Sequence, residues 1–273
     1  MPNNTNTSIG VFAALQLLFL LACFHQAHSS LQREILFGDG SVKRKSSLIP
    51  FTSPKGKQLF LSNNCFKLAY FPNAANFVTQ KNQGYCGPAS AVMTLNNVVP
   101  RSEALVDPIY SPYPYYTQDA WIQDMCVKQV LGIGSKPWRG MSLEQEAAAL
   151  SCTKDIRVST VFADDSHDNK ALINLMKMQL QQGSYIIANI LRTDIDEKGY
   201  GHFSPIAAFH EKEQRETLFL FMDVARYKYG PVWVPADELV NAMRAKDPFS
   251  GRPRGFLIVS KQKVNQTWSQ ADF

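Results

Sequence analysis

The last third of this 273-residue chain limits its fold most. Four apolar runs of strand length, 185–191, 202–209, 218–224 and 255–260, are separated by turn-forming or polar stretches. Short runs rich in Ile, Phe and Val with turn residues between them read as buried strands. The second and third are joined by a polar loop over 210–217, so they form a candidate antiparallel hairpin. Ahead of these strands the pattern is helical. Gly87-Pro88 opens an apolar stretch that runs to 98, and proline in the first turn is a helix-start signal. Ser142-Leu143-Glu144-Gln145 matches a capping box, which predicts a helix to about Leu150. Segment 168–182 carries Leu172, Leu175, Met176 and Leu180 on one helical face, and Gly183 stops it. Segment 105–121, rich in Pro and Tyr, reads as a loop with a short helix, and 235–243 as another short helix. Helices first and strands second predict an α+β domain rather than alternating βαβ units.

Composition removes several classes. Hydrophobic residues are 45% and charged residues 19%, with a net charge of +5, which excludes a disordered chain. No Lys/Arg-rich block accompanies that charge, so no nucleic-acid partner is expected. Residues 1–29 contain no Asp, Glu, Lys or Arg, and 9–24 is apolar apart from Gly10 and Gln16. Such a run is short for a membrane span and long enough for a signal-peptide core. Ala27-His28-Ser29 offers a cleavage site. Leu20-Leu21-Ala22-Cys23 resembles a lipoprotein box with Cys23 as the acylated residue, and an uncleaved anchor is the third reading. The expectation is an exported protein, periplasmic or extracellular. Residues 1–29 would be a signal peptide or membrane anchor and the only membrane contact, and 30–273 the folded domain. The later cysteines, Cys65, Cys86, Cys126 and Cys152, lack CxxC spacing, so no structural metal site is expected. In an oxidising compartment Cys126 and Cys152 are a candidate pair, which spacing alone does not decide.

Reactive residue types gather in three strings. In Gln80-Lys81-Asn82-Gln83-Gly84-Tyr85-Cys86-Gly87-Pro88, Cys86 sits where a helix begins. Orphan N–H groups and the helix dipole there favour a thiolate, and the flanking glycines allow a substrate backbone to approach. A buried structural cysteine is the competing reading. Gln80, six residues earlier, could donate to an oxyanion or be an ordinary surface residue. A nucleophilic thiol needs a base, and beyond the leader there are three histidines. His167 lies among acids that look like a solvated helix cap. His202 and His210 bound one strand and are about 26 Å apart at roughly 3.3 Å per residue, so at most one reaches Cys86. His202, which follows Gly201, is the choice by elimination. In 219–227, Asp223 ends an apolar strand and needs a partner, since burying a lone carboxylate is costly. Hairpin pairing brings it within a residue or two of directly opposite His202, where it could orient the imidazole; capping the next turn is the alternative. Arg226 and Arg254 are cations that could hold a substrate carboxylate, or equally be surface residues.

The order Cys, His, Asp with a Gln before the Cys has the logic of a papain-like cysteine peptidase. The longer strings narrow it. Asn82-Gln83-Gly84-Tyr85-Cys86-Gly87-Pro88-Ala89-Ser90, Gly201-His202-Phe203-Ser204-Pro205, and Asp223-Val224-Ala225-Arg226-Tyr227-Lys228-Tyr229 with Pro231-Val232-Trp233-Val234 resemble phytochelatin synthase. This is the glutathione γ-glutamylcysteinyltransferase family. The resemblance runs from about 59 to 261, includes Arg254-Gly255-Phe256, and is nearest to short bacterial members. It implies a papain-like fold with a helical N-terminal half, an antiparallel-sheet C-terminal half and an active-site cleft between them. It implies Cys86 as nucleophile, His202 as base, Asp223 as its orienting carboxylate and Gln80 as oxyanion donor. Gly201, Arg226 and Arg254 are the candidate substrate-binding residues. Glutathione and metal–glutathione complexes are the implied substrates. No resident cofactor is implied, and cadmium or zinc ions would act as activators through glutathione thiolates. The oligomeric state stays open, a dimer included. Plant-type members continue into a Cys-containing C-terminal domain, whereas 13 residues without Cys follow Ser260 here. The resemblance therefore points to hydrolysis of glutathione ahead of metal-dependent chain extension. A non-turnover binding module and a general peptidase are the two alternatives.

Overall fold

Residues 47–133, 140–211 and 216–262 are described by a computed structural model of the chain. The leader over 1–29, with Cys23 and its cleavage sites, lies outside the described residues, and so does the middle of the 210–217 loop. The described helices are α1 (Pro54–Leu61), α2 (Tyr70–Ala75), α3 (Cys86–Val98), α4 (Gln118–Gln123), α5 (Met125–Leu131), α6 (Leu143–Leu150), α7 (Asn169–Gln181) and α8 (Ala236–Arg244). The strands are β1 (Ile49–Pro50), β2 (Cys65–Phe66), β3 (Ile156–Phe162), β4 (Tyr185–Leu191), β5 (Gly201–Glu211), β6 (Thr217–Phe221), β7 (Val232–Pro235) and β8 (Gly255–Lys261). No helix among the described residues is long and apolar enough to cross a membrane.

Local chemistry sets the helix ends. Ser142 Oγ accepts the Gln145 N–H at 3.3 Å, and Gln145 Oε1 accepts the Ser142 N–H at 2.9 Å, which completes the capping box of α6. Asp168 caps α7 by accepting the Ala171 N–H at 2.6 Å. Asp124 caps α5, and Gly132 ends it in the left-handed conformation with φ 60°.

The strands form one antiparallel sheet in the order β1-β7-β6-β5-β4-β8-β3, with β2 added beside β5. This is an α+β architecture, as the sequence predicts, with one difference. The sheet is not confined to the second half of the chain, because β1 and β2 come from the first, and β3 precedes the helix α7. The edge strand β3 has half-buried Ile156, Val158, Val161 and Phe162 beside exposed Arg157, Ser159 and Thr160, so none of its residues is fully buried. That pattern carries a weaker hydrophobic signal than the buried strands β4 and β5.

Alternation across the sheet builds two cores. Ile186, Ala188 and Ile190 of β4 pack with Leu172, Met176 and Leu180 of α7 and with Leu239 and Val240 of α8. Ile187, Phe203 and Leu257 point the other way, against Ala89, Val92 and Met93 of α3. Only Asn96 and Asn97 of α3 escape full burial. A helix that is apolar nearly all round belongs in a core. Its first residue, Cys86, is thereby pinned against the start of β5. The disulfide Cys126–Cys152 forms, tying the start of α5 to the segment after α6.

Phe219 is fully buried between the sheet and α8. Phe219→Ala is expected to destabilise the fold by about 3–5 kcal/mol, the usual cost of emptying an aromatic core site. Urea denaturation should show this as a lower midpoint with an unchanged slope.

Candidate active site

Cys86 occupies the first turn of α3, and Tyr85 before it offers no side-chain cap. The N–H groups of the helix start therefore stay available. The N–H of Phe203, from β5, and that of Gly87, in the helix start, point at the Cys86 sulfur and favour its charged form. Burial nevertheless dominates. It pushes the thiol up to about 11, with the Glu146 charge adding to the rise and Arg192 opposing it. The thiolate-favouring effect expected of a helix start is real but smaller than the desolvation of a side chain only 7% exposed. A thiolate here needs a cation beside it.

His202 is the imidazole at this corner. It begins β5, one residue before the Phe203 N–H that meets the sulfur, and is 4% exposed. Its Nε2 lies 2.9 Å from Asp223 Oδ1. Ser204 Oγ stands 3.0 Å from the same nitrogen and accepts the Val224 N–H at 3.2 Å. With Nε2 donating to the carboxylate, the lone pair falls on Nδ1. Burial lowers the His202 pKa, Asp223 pulls it back up, and Arg192 works against the gain; the net direction is down.

Asp223 is completely buried, and its partners explain how. Besides His202 it accepts the Ala225 N–H at 2.7 Å and one bond from Arg192, Nη2 to Oδ1 at 2.9 Å, while Arg192 Nη1 forms an ion pair with Oδ2 at 2.7 Å. Burial alone would raise this carboxyl, but the bonds to His202 and Arg192 override it and hold it at about 2. Arg192 also pairs with buried Glu197 and lies 4.9 Å from the Tyr229 ring centroid. Asp223 is thus not merely a turn cap; it bonds both the following turn and the histidine. The hairpin register brought them together, with Phe209 opposite Phe219 and a shift between Ile206 and Ala208.

The other histidines go elsewhere. His210 Nε2 lies 3.1 Å from Ser62 Oγ, and His210 pairs with Cys65 across the sheet. His167 is exposed, just ahead of the Asp168 cap, with Nδ1 3.7 Å from Asp164 Oδ1. Gln80 reaches the same corner as Asp223 through its backbone N–H, which donates to Val224 O at 2.9 Å. Its amide nitrogen is engaged by Asn82 O at 2.7 Å and Tyr227 Oη at 3.0 Å.

The two arginines part company. Arg226 is exposed and stacks 4.6 Å from the Phe77 ring centroid. Arg254 is 5% exposed, donates from Nη1 to Asn189 Oδ1 at 2.8 Å, and lies 3.6 Å from Asp247. Its Nε is buried without a partner. Burial lowers the Arg254 pKa, although Asp247 and the charge of Cys86 raise it. Gly201 is the surface on which this guanidinium lies, since a Cβ there would come within 2.3 Å of Nη1. The glycine after the thiol behaves alike. A Cβ on Gly87 would meet Glu146 Oε2 at 2.4 Å, so a protein carboxyl fills the space that the sequence argument gave to substrate.

Sequence reasoning missed Arg192 and Glu146. Arg192 carries a usable signal, a cation directly after an apolar strand, which needs a counter-charge as much as Asp223 does. Among the described residues one group could offer metal ligands, Asp124 with Cys126 and Cys152, but the two sulfurs are joined to each other. A cavity of about 290 Å³ lined by Tyr116, Trp121, Asp124 and Cys152 borders that disulfide and does not include Cys86, His202 or Asp223.

A family model described as "Phytochelatin synthase" matches residues 41–256. Among curated relatives, "Glutathione gamma-glutamylcysteinyltransferase 1" of Triticum aestivum is 29% identical over 239 residues, 86% of this chain and 43% of that protein. The protein of the same name from Lotus japonicus is 28% identical over 218 residues, 78% of this chain and 40% of its own. The "Glutathione gamma-glutamylcysteinyltransferase" of Schizosaccharomyces pombe is 25% identical, with 79% of this chain and 50% of that one aligned. The chain spans two fifths to half the length of these relatives.

Removing Arg192 would leave two buried carboxylates without their cation. Arg192→Met is expected to cost about 3–5 kcal/mol, read by denaturant melts. The acid dependence has a definite sign. Asp223 is held at about 2, below its ordinary 3.8, so its pairing stabilises the fold above that ordinary value and is lost as pH falls toward 2. Acid unfolding of the unsubstituted protein should draw on this window, and Arg192→Met should unfold at higher pH.

Proposed function

This chain belongs to the phytochelatin synthase family, and from that premise we propose that it cleaves the Cys–Gly bond of glutathione through a γ-Glu-Cys thioester on Cys86. The observation that carries the reading is the Asp223–His202 bond of 2.9 Å beside a thiol at the start of a buried helix. The names of the relatives supply the substrate and the group transferred. A cysteine opening a central helix that packs on an antiparallel sheet, with histidine on the facing strand, supports a papain-like fold.

The steps follow from the charges. Asp223 fixes the Nε2–H tautomer, so His202 Nδ1 accepts the Cys86 proton and the imidazolium stabilises the thiolate. The sulfur attacks the carbonyl carbon of the Cys–Gly peptide. The oxyanion that forms meets the N–H groups at the start of α3, and the Gln80 amide on exchanging Asn82 O for it. His202 then gives its proton to the departing glycine nitrogen. Water or the amine of a second glutathione resolves the thioester, with His202 taking the proton again. Arg254 is suited to a substrate carboxylate, because its guanidinium is desolvated, one nitrogen lacks a partner, and its charge reaches Cys86. Arg226, exposed on Phe77, is less suited to it.

Metal ions such as cadmium or zinc enter this reading as cargo of the substrate, carried on glutathione thiolates. Export is part of the proposal. Its support is the apolar leader and the Cys126–Cys152 disulfide, since structural disulfides belong to oxidising compartments.

Incubating the purified protein with glutathione, with and without cadmium, and reading products by mass spectrometry tests the reading. Glycine and γ-Glu-Cys are expected, falling by at least ~10³-fold in Cys86→Ser. Asp223→Asn should lose roughly 10²–10⁴-fold in kcat through the wrong imidazole tautomer. Oligomers of γ-Glu-Cys ending in glycine would add chain extension. Glutathione binding without glycine release would leave a binding module, and cleavage of ordinary peptides a general peptidase.

A further inference from the structure

Glu146 is fully buried on α6, and neither of its carboxyl oxygens has a hydrogen-bond partner. The other acids buried near the site are compensated. Asp223 and Glu197 share Arg192, and Asp247 faces Arg254. Glu146 instead presses against the backbone of Gly87, the residue after Cys86. A Cβ at Gly87 would lie 2.4 Å from its Oε2 and 2.9 Å from Met141 Sδ. An acid in such a place is held neutral, because an isolated buried carboxylate lacks both water and counter-charge. Burial alone raises Glu146 to about 8.

We propose that Glu146 is a positioning residue that acts through Cys86, letting the thiolate form while it is protonated and returning Cys86 to the thiol when it ionises. The inference rests on reading Cys86 as the nucleophile. The helix start offers one small region of positive potential, formed by its N–H groups. Two anions separated by one backbone residue compete for it. The proton count balances. With Glu146 neutral, the active pair is Cys86 thiolate and His202 imidazolium. Loss of one proton to solvent leaves Glu146 ionised, Cys86 as thiol and His202 neutral. The three groups titrate as a set. The elements packed on α6 are α3, α5, β3 and β8. Their titratable groups are Cys86 on α3, Lys128 on α5, Arg157 on β3, Lys261 on β8 and Arg254 just before it. Of these, Cys86 carries the Glu146 charge among the causes of its own shift, and Glu146 is shifted by burial without a contribution from any of the cations.

The test is alkylation of Cys86 by iodoacetamide across pH in the full-length protein and in Glu146→Gln. Mass spectrometry separates Cys86 from Cys65, the other free thiol among the described residues. The Gln variant keeps the shape and cannot ionise. It is expected to alkylate faster, with a ratio that grows to about tenfold as pH passes through about 8, one unit of thiol pKa being a factor of ten. A ratio that does not change with pH overturns the proposal. If Glu146→Gln does not fold, infrared spectroscopy of the unsubstituted protein decides. A protonated buried carboxyl band at neutral pH, lost as alkylation slows relative to a free thiol, supports it, and its absence at neutral pH overturns it. Alkylation needs no glutathione, so failure here with intact glycine release sinks the role of Glu146 alone.

Discussion

A carboxylate with no solvent exposure cannot stay charged in a protein core without partners, and Asp223 has three kinds. Arg192 neutralises it with one hydrogen bond and one close ion pair, the Ala225 N–H donates to it, and His202 spends its Nε2 on it. Each partner lies on a different part of the chain. Arg192 follows β4, His202 begins β5, and Ala225 follows β6. Satisfying this one charge therefore fixes the ends of three neighbouring strands against one another. The orientation of His202 is a consequence of that demand, since its Nε2 is held at 2.9 Å from Asp223 Oδ1.

The second constraint runs the other way. Cys86 sits at a helix start that favours a negative charge, yet burial holds its thiol at about 11. Desolvation and dipole act on the same atom, and desolvation wins. In the proposed mechanism that balance reverses only when His202 takes the proton, so the reactive thiolate exists only while the imidazole is charged. A permanently exposed thiolate would form mixed disulfides in an oxidising compartment. Cys126 and Cys152 are joined to each other, while Cys65 and Cys86 remain thiols, both buried.

Much of this was legible in the sequence, for identifiable reasons. The bounds of β4 and α7 follow from long apolar periodicity, and α6 from a capping box whose two bonds both form. The meeting of His202 and Asp223 was legible because hairpin pairing is simple arithmetic. The edge strand β3 was not, since its half-buried residues alternate weakly. Arg254 looked as much a surface residue as a buried one, because nothing local says that Asn189 and Asp247 wait for it. The pKa direction of Cys86 was misread for a related reason. A helix start is a local feature, whereas burial is the sum of everything packed around it.

The two glycines that flank the reactive groups show the same division between local and global. Adjacent to a nucleophile and a base, Gly87 and Gly201 suggest room for substrate. Each is instead the landing place of a charged or ionisable side chain from elsewhere, Glu146 on the first and Arg254 on the second. The acid and the cation both approach within a distance that any Cβ would forbid. The corner is therefore bracketed electrostatically, with an ionisable acid behind the thiol and a desolvated guanidinium beside the base. Glycine at these positions serves the protein's own ionisable side chains, because only a residue without a Cβ lets them approach so closely.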